Sequence, residues 1–551
     1  MLNHDTLLDI FHHYRLEDVD SWNDRFAWCK LARVCRRWRY LIYDSSSLLD
    51  IYLLLKNGSP TLDLLAHLPP LPIVIDYCNM TTTWVRQDEL SILTGLQKRH
   101  RIRRTSLQAP SPCLGIFLAK MSDHYPILED LSLSSTTEEA ANIVLPSTFC
   151  APNLRHIVLH GMGLLSGLSL FTSTPALVTL TLTCIPAPYY FHPGHLVTQL
   201  RGLLHLEELS IGFAVPIPLP SNEVELLPTP MPRVTLPTLK RLMFRGVAVY
   251  LENLVAHINA PLLEQLIVTL FFELVFTLTS LTQFIQIAGR LRCRSANVFF
   301  KRSGVSIVTH NGKFPSSRGL TINVNCEHLD WQIDAVIQCF RALERFLSAV
   351  KGLTLDLDKD GMPSDWDNSL DSVLWHQLLL PFSSVKKLQI GSPLTSELSG
   401  ALKPDAAGLA WNLLPKLQRL KVQIKANDAR RAFSTFTESR RLAGRPVDLF
   451  SPSHIESLDT ALHNYAMQTG VELKYHPLTK KLENCDSVDS ITSVLQDYLE
   501  DAKAFRDFPD DHGMIMRPMI RAVSIPFRLS SVLGEAVALV CAKSFISTLS
   551  P

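Results

Sequence analysis

Residues whose type and spacing could do chemistry are few in this 551-residue chain. The densest acidic set is Asp356-x-Asp358-x-Asp360-Gly361 with Asp367 at the twelfth position, alternate carboxylates around a glycine turn of the kind that wraps calcium. Against that use, LTLDLD reads as a strand, Pro363 takes the place of an apolar β residue, and the last ligand is Asp where a bidentate Glu is usual. His156 and His160 stand four apart, but Ile-Val-Leu lies between them without an HExxH glutamate, on a segment that reads as a strand. His192-Pro-Gly-His195 needs distant partners to hold a metal and reads as a loop. There is no GxSxG elbow, kinase set, dinucleotide fingerprint or GxxxxGK[ST] phosphate loop. The reading is therefore of a chain that is not an enzyme, with no catalytic residue, no metal and no cofactor. Its function is expected to lie in surfaces that hold other proteins.

Those surfaces need elements to present them. Leu31 to Ile42 reads LARVCRRWRYLI, in which Leu31, Val34, Cys35, Trp38, Leu41 and Ile42 recur at the spacing of one apolar helix face, and Arg33, Arg36, Arg37 and Arg39 cover the opposite side. Upstream, DTLLDIF places Leu7, Leu8, Ile10 and Phe11 on a second short helix, with Asp5 or Thr6 as N-cap. Asp44-Ser-Ser-Ser-Leu48-Leu49 follows as a turn and a further apolar contact. The two helices resemble the F-box, the helical module that docks proteins onto the Skp adaptor of cullin-RING ubiquitin ligases; Leu7, Ile10, Phe11, Val34, Cys35, Trp38 and Leu41 carry the match. Two departures stand out: Leu2-Asn3 occupies the place of the usual leading Leu-Pro, and Glu17 to Ala27 lengthens the gap between helices. The resemblance implies adaptor binding by Leu7, Leu8, Ile10, Phe11, Val34, Cys35, Trp38 and Leu41.

Composition excludes several classes. With 53 basic and 52 acidic residues there is no global field to recruit nucleic acid or an anionic membrane. The 11 cysteines are scattered without a CxxC pair, unlike a secreted disulfide framework or a zinc module, and fit a reducing compartment, cytoplasmic or nuclear. No secretory signal is visible, and the greasiest run, Leu266 to Phe276, is shorter than a membrane span and contains Glu273.

Between Pro126 and Val422 a turn-and-strand pattern recurs, as Leu128/Leu131/Leu133, Leu154/Ile157/Leu159, Leu177/Leu180/Leu182 and six later copies ending at Leu417/Leu420/Val422. A proline two residues ahead of most copies stops what precedes and starts an extended run. Starts lie 23 to 35 residues apart, outside one long gap from Leu263 to Val350, which is the period of a leucine-rich solenoid. The gap contains ANVFF, VSIV and LTINVNC, read as extra strands, and Trp331 to Leu347, read as a helix. The residues between the apolar positions point to the concave side of such an arc, which makes His156, His160, Arg241, Arg245, Lys387, Gln389, Arg419 and Lys421 the candidate target-binding residues.

The repeats look like leucine-rich repeats attached to F-boxes. Blocks such as LPPLPIVIDY, LDWQIDAVIQ and FTESRRLAGRPV resemble, in matching order, a large fungal family of F-box proteins over about residues 1 to 450. After Pro452 the pattern changes to helical stripes, Ile455/Leu458/Leu462/Tyr465 and Val488/Ile491/Leu495/Tyr498 among them, and the segment resembles the Goodbye domain of fungal STAND-class signalling proteins, cut short. The expected class is thus α/β, with a helical F-box at 1–55, an irregular leucine-rich-repeat-like solenoid at 56–450 and an α-helical bundle at 451–551. The implied function is a substrate-recognition subunit of a Skp-cullin-F-box ubiquitin ligase whose partners are the adaptor, the cullin ligase and a target protein, with neither nucleic acid nor membrane among them. The alternative is a STAND-type signalling or self-association scaffold acting through the C-terminal helices.

Overall fold

The computed structural model describes residues 3–451 apart from 18–26, 46–51, 60, 68–69, 81–85, 138–142, 164–170, 172, 217–232, 272, 274, 312–318, 327, 359–371, 404–412 and 425. These fall into two compact units, Met1–Val350 and Lys351–Pro551.

The first unit begins with α1 (His4–Glu17), α2 (Ala27–Val34) and α3 (Arg36–Asp44). The N-cap of α1 is Asn3, whose Oδ1 accepts from the Thr6 amide at 2.8 Å, in place of the expected Asp5 or Thr6. The stretch 31–42, expected as one helix, is broken. Cys35 takes extended backbone angles (φ −158°, ψ 168°), and its Sγ accepts from the Trp38 amide at 3.4 Å, so that it ends α2 and caps α3. Apolar spacing survives such a break, which is why periodicity alone did not reveal it.

The strands are β1 (Leu53–Lys56), β2 (Ile73–Cys78), β3 (Ile102–Ala109), β4 (Asp130–Ser135), β5 (His156–His160), β6 (Thr179–Ile185), β7 (Glu208–Phe213), β8 (Val234–Thr235), β9 (Arg241–Gly246), β10 (Ile258–Asn259), β11 (Gln265–Leu270), β12 (Ser295–Lys301), β13 (Gly304–His310) and β14 (Gly319–Val324). Most alternate buried and half-buried residues, as a pleated strand with one covered face must. The repeated apolar positions are the covered ones: Leu131 and Leu133, Ile157 and Leu159, Leu242 and Phe244, Leu266 and Val268 are all buried. Helices 111–119, 248–256 and 329–342 pack on that side, against β3 and β4, β9, and β13 respectively.

Neighbours run in the order β1-β2-β3-β4-β5-β6-β7-β9-β11-β14-β13-β12, and the short pair β8 and β10 stands apart. From β1 to β11 every pairing in the main sheet is parallel. The last three strands depart from this: β14 pairs parallel with β11, β13 is antiparallel to β14, and β12 is antiparallel to β13 from Ser295↔His310 to Lys301↔Gly304. Glycine closes this region. Gly304 (φ +152°) and Gly319 (φ +148°) adopt backbone angles that suit glycine, and a Cβ there would run into the carbonyl oxygens of Val324 and Thr309.

The second unit contributes β15 (Gly352–Leu357), β16 (Lys387–Ile390), β17 (Arg419–Val422) and β18 (Asp448–Phe450), parallel in that order. Helices 372–379, 395–401 and 426–442 lie between them in sequence. Arg440, 3% exposed, donates to the carbonyls of Leu414, Pro415 and Leu417 and so ties the last helix to the turn ahead of β17.

The expected fold class is overturned. In place of a helical F-box and a leucine-rich-repeat-like solenoid, the described residues form α/β arrangements, with a mixed parallel and antiparallel sheet of twelve strands in the first unit and four parallel strands in the second. Backbone hydrogen bonding explains the correction. A turn-and-strand repeat yields parallel neighbours only, whereas β12 and β13 reverse direction within the sheet. The N-terminal helices, too, are no detached module: Leu7, Phe11, Ala32, Leu41 and Ile42 share one core with Leu71, just ahead of β2. The expected bundle at 451–551 lies outside the described residues but for Ser451.

Candidate functional site

Two surfaces gather the residues singled out from sequence. The first is on α1–α3. Leu7, Phe11 and Leu41 are buried in the shared core, and Leu8 and Trp38 pack against it half-buried. The Phe11 and Trp38 rings meet edge to face, centroids 5.0 Å apart, an arrangement favourable for aromatic quadrupoles. These five residues hold the helices together. Ile10 (43% exposed) and Val34 (60%) face water, as does Cys35 beside Val34. Tyr40, 72% exposed and absent from the sequence-based set, joins them. Its helical position, two residues past Trp38, was the signal: in an amphipathic helix that position leaves the core face. The candidate contact set is thus Ile10, Val34, Cys35 and Tyr40, with exposed Arg33, Arg36 and Arg39 around it. Arg39 is anchored, its Nε donating to the Ala32 carbonyl at 2.9 Å.

The second surface is the outer side of the first unit's strands. Register places Arg104, Asp130, His156, Thr179, Glu208 and Arg241 in one row across β3 to β9. Charges in this row pair with each other. Arg104 Nε lies 2.7 Å from Asp130, His156 Nε2 3.8 Å from the same carboxyl, and Arg241 bonds Glu208. Four residues further along each strand a second row runs through Ser134, His160, Thr183, Arg245 and Thr269. Gly212 sits between Thr183 and Arg245 in it. His160 Nδ1 is 3.0 Å from the Thr183 hydroxyl, and the Arg245 guanidinium carbon sits 5.6 Å from the Phe271 ring centre. His156 and His160 share one face but each engages a threonine on β6, His156 at 3.1 Å from Thr179. In the second unit Lys387 is in register with Arg419, and Gln389 with Lys421.

Chemically demanding groups are elsewhere in structural roles. His192 Nδ1 accepts from the Gly194 amide at 3.1 Å and caps a helix, Pro193–Leu200, where a loop was expected. Burial pushes the thiols of Cys293, Cys326 and Cys339 up to about 12 and that of Cys113 to about 11, which keeps them protonated and unreactive. Asp356 Oδ1 accepts from the Leu357 amide at 2.9 Å at the end of β15, and residues 359–371 of the acidic loop lie outside the described residues. Among the described residues no group of three His, Cys, Asp or Glu side chains is placed to hold a metal ion, and no helix is long and apolar enough to cross a membrane.

No protein-family model matches the chain, and no curated protein matches it.

Proposed function

We propose that the chain is a target-recognition subunit of a Skp-cullin ubiquitin ligase, working in the cytoplasm or nucleus, in which α1–α3 dock the adaptor and the outer strand face holds a target protein. The observation that carries this reading is the exposure of Ile10, Val34 and Tyr40 on the helices whose sequence resembles an F-box. Large apolar side chains on water cost free energy, and a cover over them recovers roughly 25 cal/mol per Å². The chain then contributes no nucleophile. It acts by holding the target near an enzyme that performs the transfer, and positioning is its share of catalysis.

Co-purification of the full chain with the Skp adaptor tests this. Ile10→Asp and Val34→Asp alter exposed residues that the core does not use, and each is expected to weaken the complex roughly 30-fold or more, as loss of an interface anchor does. An adaptor complex that is absent with the native chain, or indifferent to both substitutions, removes the reading. Trp38→Ala serves less well, because Trp38 packs on Phe11 and its loss disturbs the helices themselves. The STAND-type alternative rests on residues 451–551, and nothing among the described residues favours it.

A further inference from the structure

The two outer rows of the first unit differ in charge in a way that specifies a ligand. In the row through Asp130, Glu208 and Arg241 each carboxylate meets a cation of the same row. The row through Ser134, His160, Thr183, Gly212, Arg245 and Thr269 contains no carboxylate, and among the described residues no carboxylate pairs with Arg245, which is exposed and held over Phe271. On β7 Ser210 lies between the rows and Gly212 within the second, both buried below their larger neighbours on β6 and β9. A Cβ at Gly212 would touch Arg245 Cβ at 3.4 Å and Thr183 Cα at 3.8 Å, so this position is a gap that a side chain would fill.

We propose that this row binds an extended, unmodified acidic segment of a target protein, with one Asp or Glu carboxylate on Arg245 and a second four residues away at His160. The spacing is set by the sheet. From β5 to β9 are three strand steps of about 4.8 Å, roughly 14 Å, and an extended chain covers about that distance between residues i and i+4 with both side chains on one face. The hydroxyls of Thr183 and Thr269 lie on the same path, and Thr183 steadies the His160 ring. A charge-assisted contact to Arg245 supplies selectivity, and the internally paired row four residues away along the strands repels neither sign. The inference rests on the reading of this face as the target-binding one.

The test measures binding of a fluorescein-labelled decapeptide, Thr-Glu repeated five times, to the full native chain by fluorescence anisotropy, against Thr-Gln repeated five times. The acidic peptide should bind at least about ten-fold more tightly. Arg245→Gln should remove most of that preference, Gly212→Val should weaken binding by filling the gap without altering charge, and Arg241→Gln, whose charge Glu208 already occupies, should change it less than about two-fold. Equal binding of the two peptides, or native behaviour of Arg245→Gln, overturns the proposal. Adaptor co-purification is run beside it. An adaptor complex without peptide preference defeats this inference and leaves the ligase reading intact; an Arg245-dependent preference without an adaptor complex does the reverse.

Discussion

The three N-terminal helices and the strands of the first unit bury their apolar residues by different rules. In a strand, alternation sends every second side chain inward, and Leu131, Leu133, Ile157, Leu159, Leu242 and Phe244 follow it, leaving an outer face on which the row from Arg104 to Arg241 pairs its own charges. On α1–α3 the apolar arc is wider than the core can cover. Leu7, Phe11, Leu41 and Ile42 go inside while Ile10, Val34 and Tyr40 stay out. The difference teaches where to look for partners of each kind: the sheet face is complete in water and selects by charge, whereas the helices carry apolar surface that a second protein can cover.

The sharpest way to break this comparison is within α1. Phe11→Ala should cost about 3–5 kcal/mol by opening a cavity beside Trp38, whereas Ile10→Ala should change stability by less than about 0.5 kcal/mol. Urea unfolding with protease sensitivity of the N-terminal region as readout separates them, and equal costs would mean that Ile10 is inside after all. Next in size is Gly319→Ala, expected to destabilise by about 3 kcal/mol because its Cβ meets the Thr309 carbonyl at a strained φ. A thermal shift no larger than that of a surface substitution would show that the antiparallel turn region adapts. On the polar face, Arg104→Gln removes a half-exposed partner of Asp130 and should cost less than about 1 kcal/mol, less still in high salt. A loss above 2 kcal/mol would mean that the row holds the sheet together. The smallest effect concerns pH. Burial lowers the His310 pKa below 6.5, so the folded chain resists a proton that the unfolded chain accepts. Stability from this group is fully present above the unfolded value and falls as pH drops from about 6.5 through the folded value. His310→Gln should flatten that part of the curve, and an unchanged slope between pH 7 and 5.5 would contradict the assignment.

Much of this was legible in the residues. The recurring Leu-x-x-Leu-x-Leu triplets mark buried positions, and the ANVFF, VSIV and LTINVNC runs mark strands, because a half-covered strand imposes its period of two on the sequence directly. The helix expected from Trp331 to Leu347 exists as 329–342 and 344–347, parted at Leu343. The candidate docking sets were less legible. Of the eight adaptor residues taken from the resemblance, Leu7, Phe11 and Leu41 are interior and Ile10, Val34 and Cys35 exterior, a division that depends on how wide a face the neighbouring helices cover. Tyr40 was missed because that set followed the resemblance, although its position on α3, off the Trp38 face, marks it as outward.

Sequence by itself determined which residues are apolar and at what period, hence where strands and short helices lie, and that no familiar catalytic motif is present. Tertiary structure alone decided that β14, and not β12, sits beside β11, that Cys35 breaks and caps the helix expected from 31 to 42, and that Arg241 is occupied by Glu208 while Arg245 rests on a ring. The reason is one of range. Periodicity is a property of a few consecutive residues, but strand order and charge pairing join groups tens of residues apart, and no local pattern records which of several compatible partners the folded chain brings within hydrogen-bonding distance.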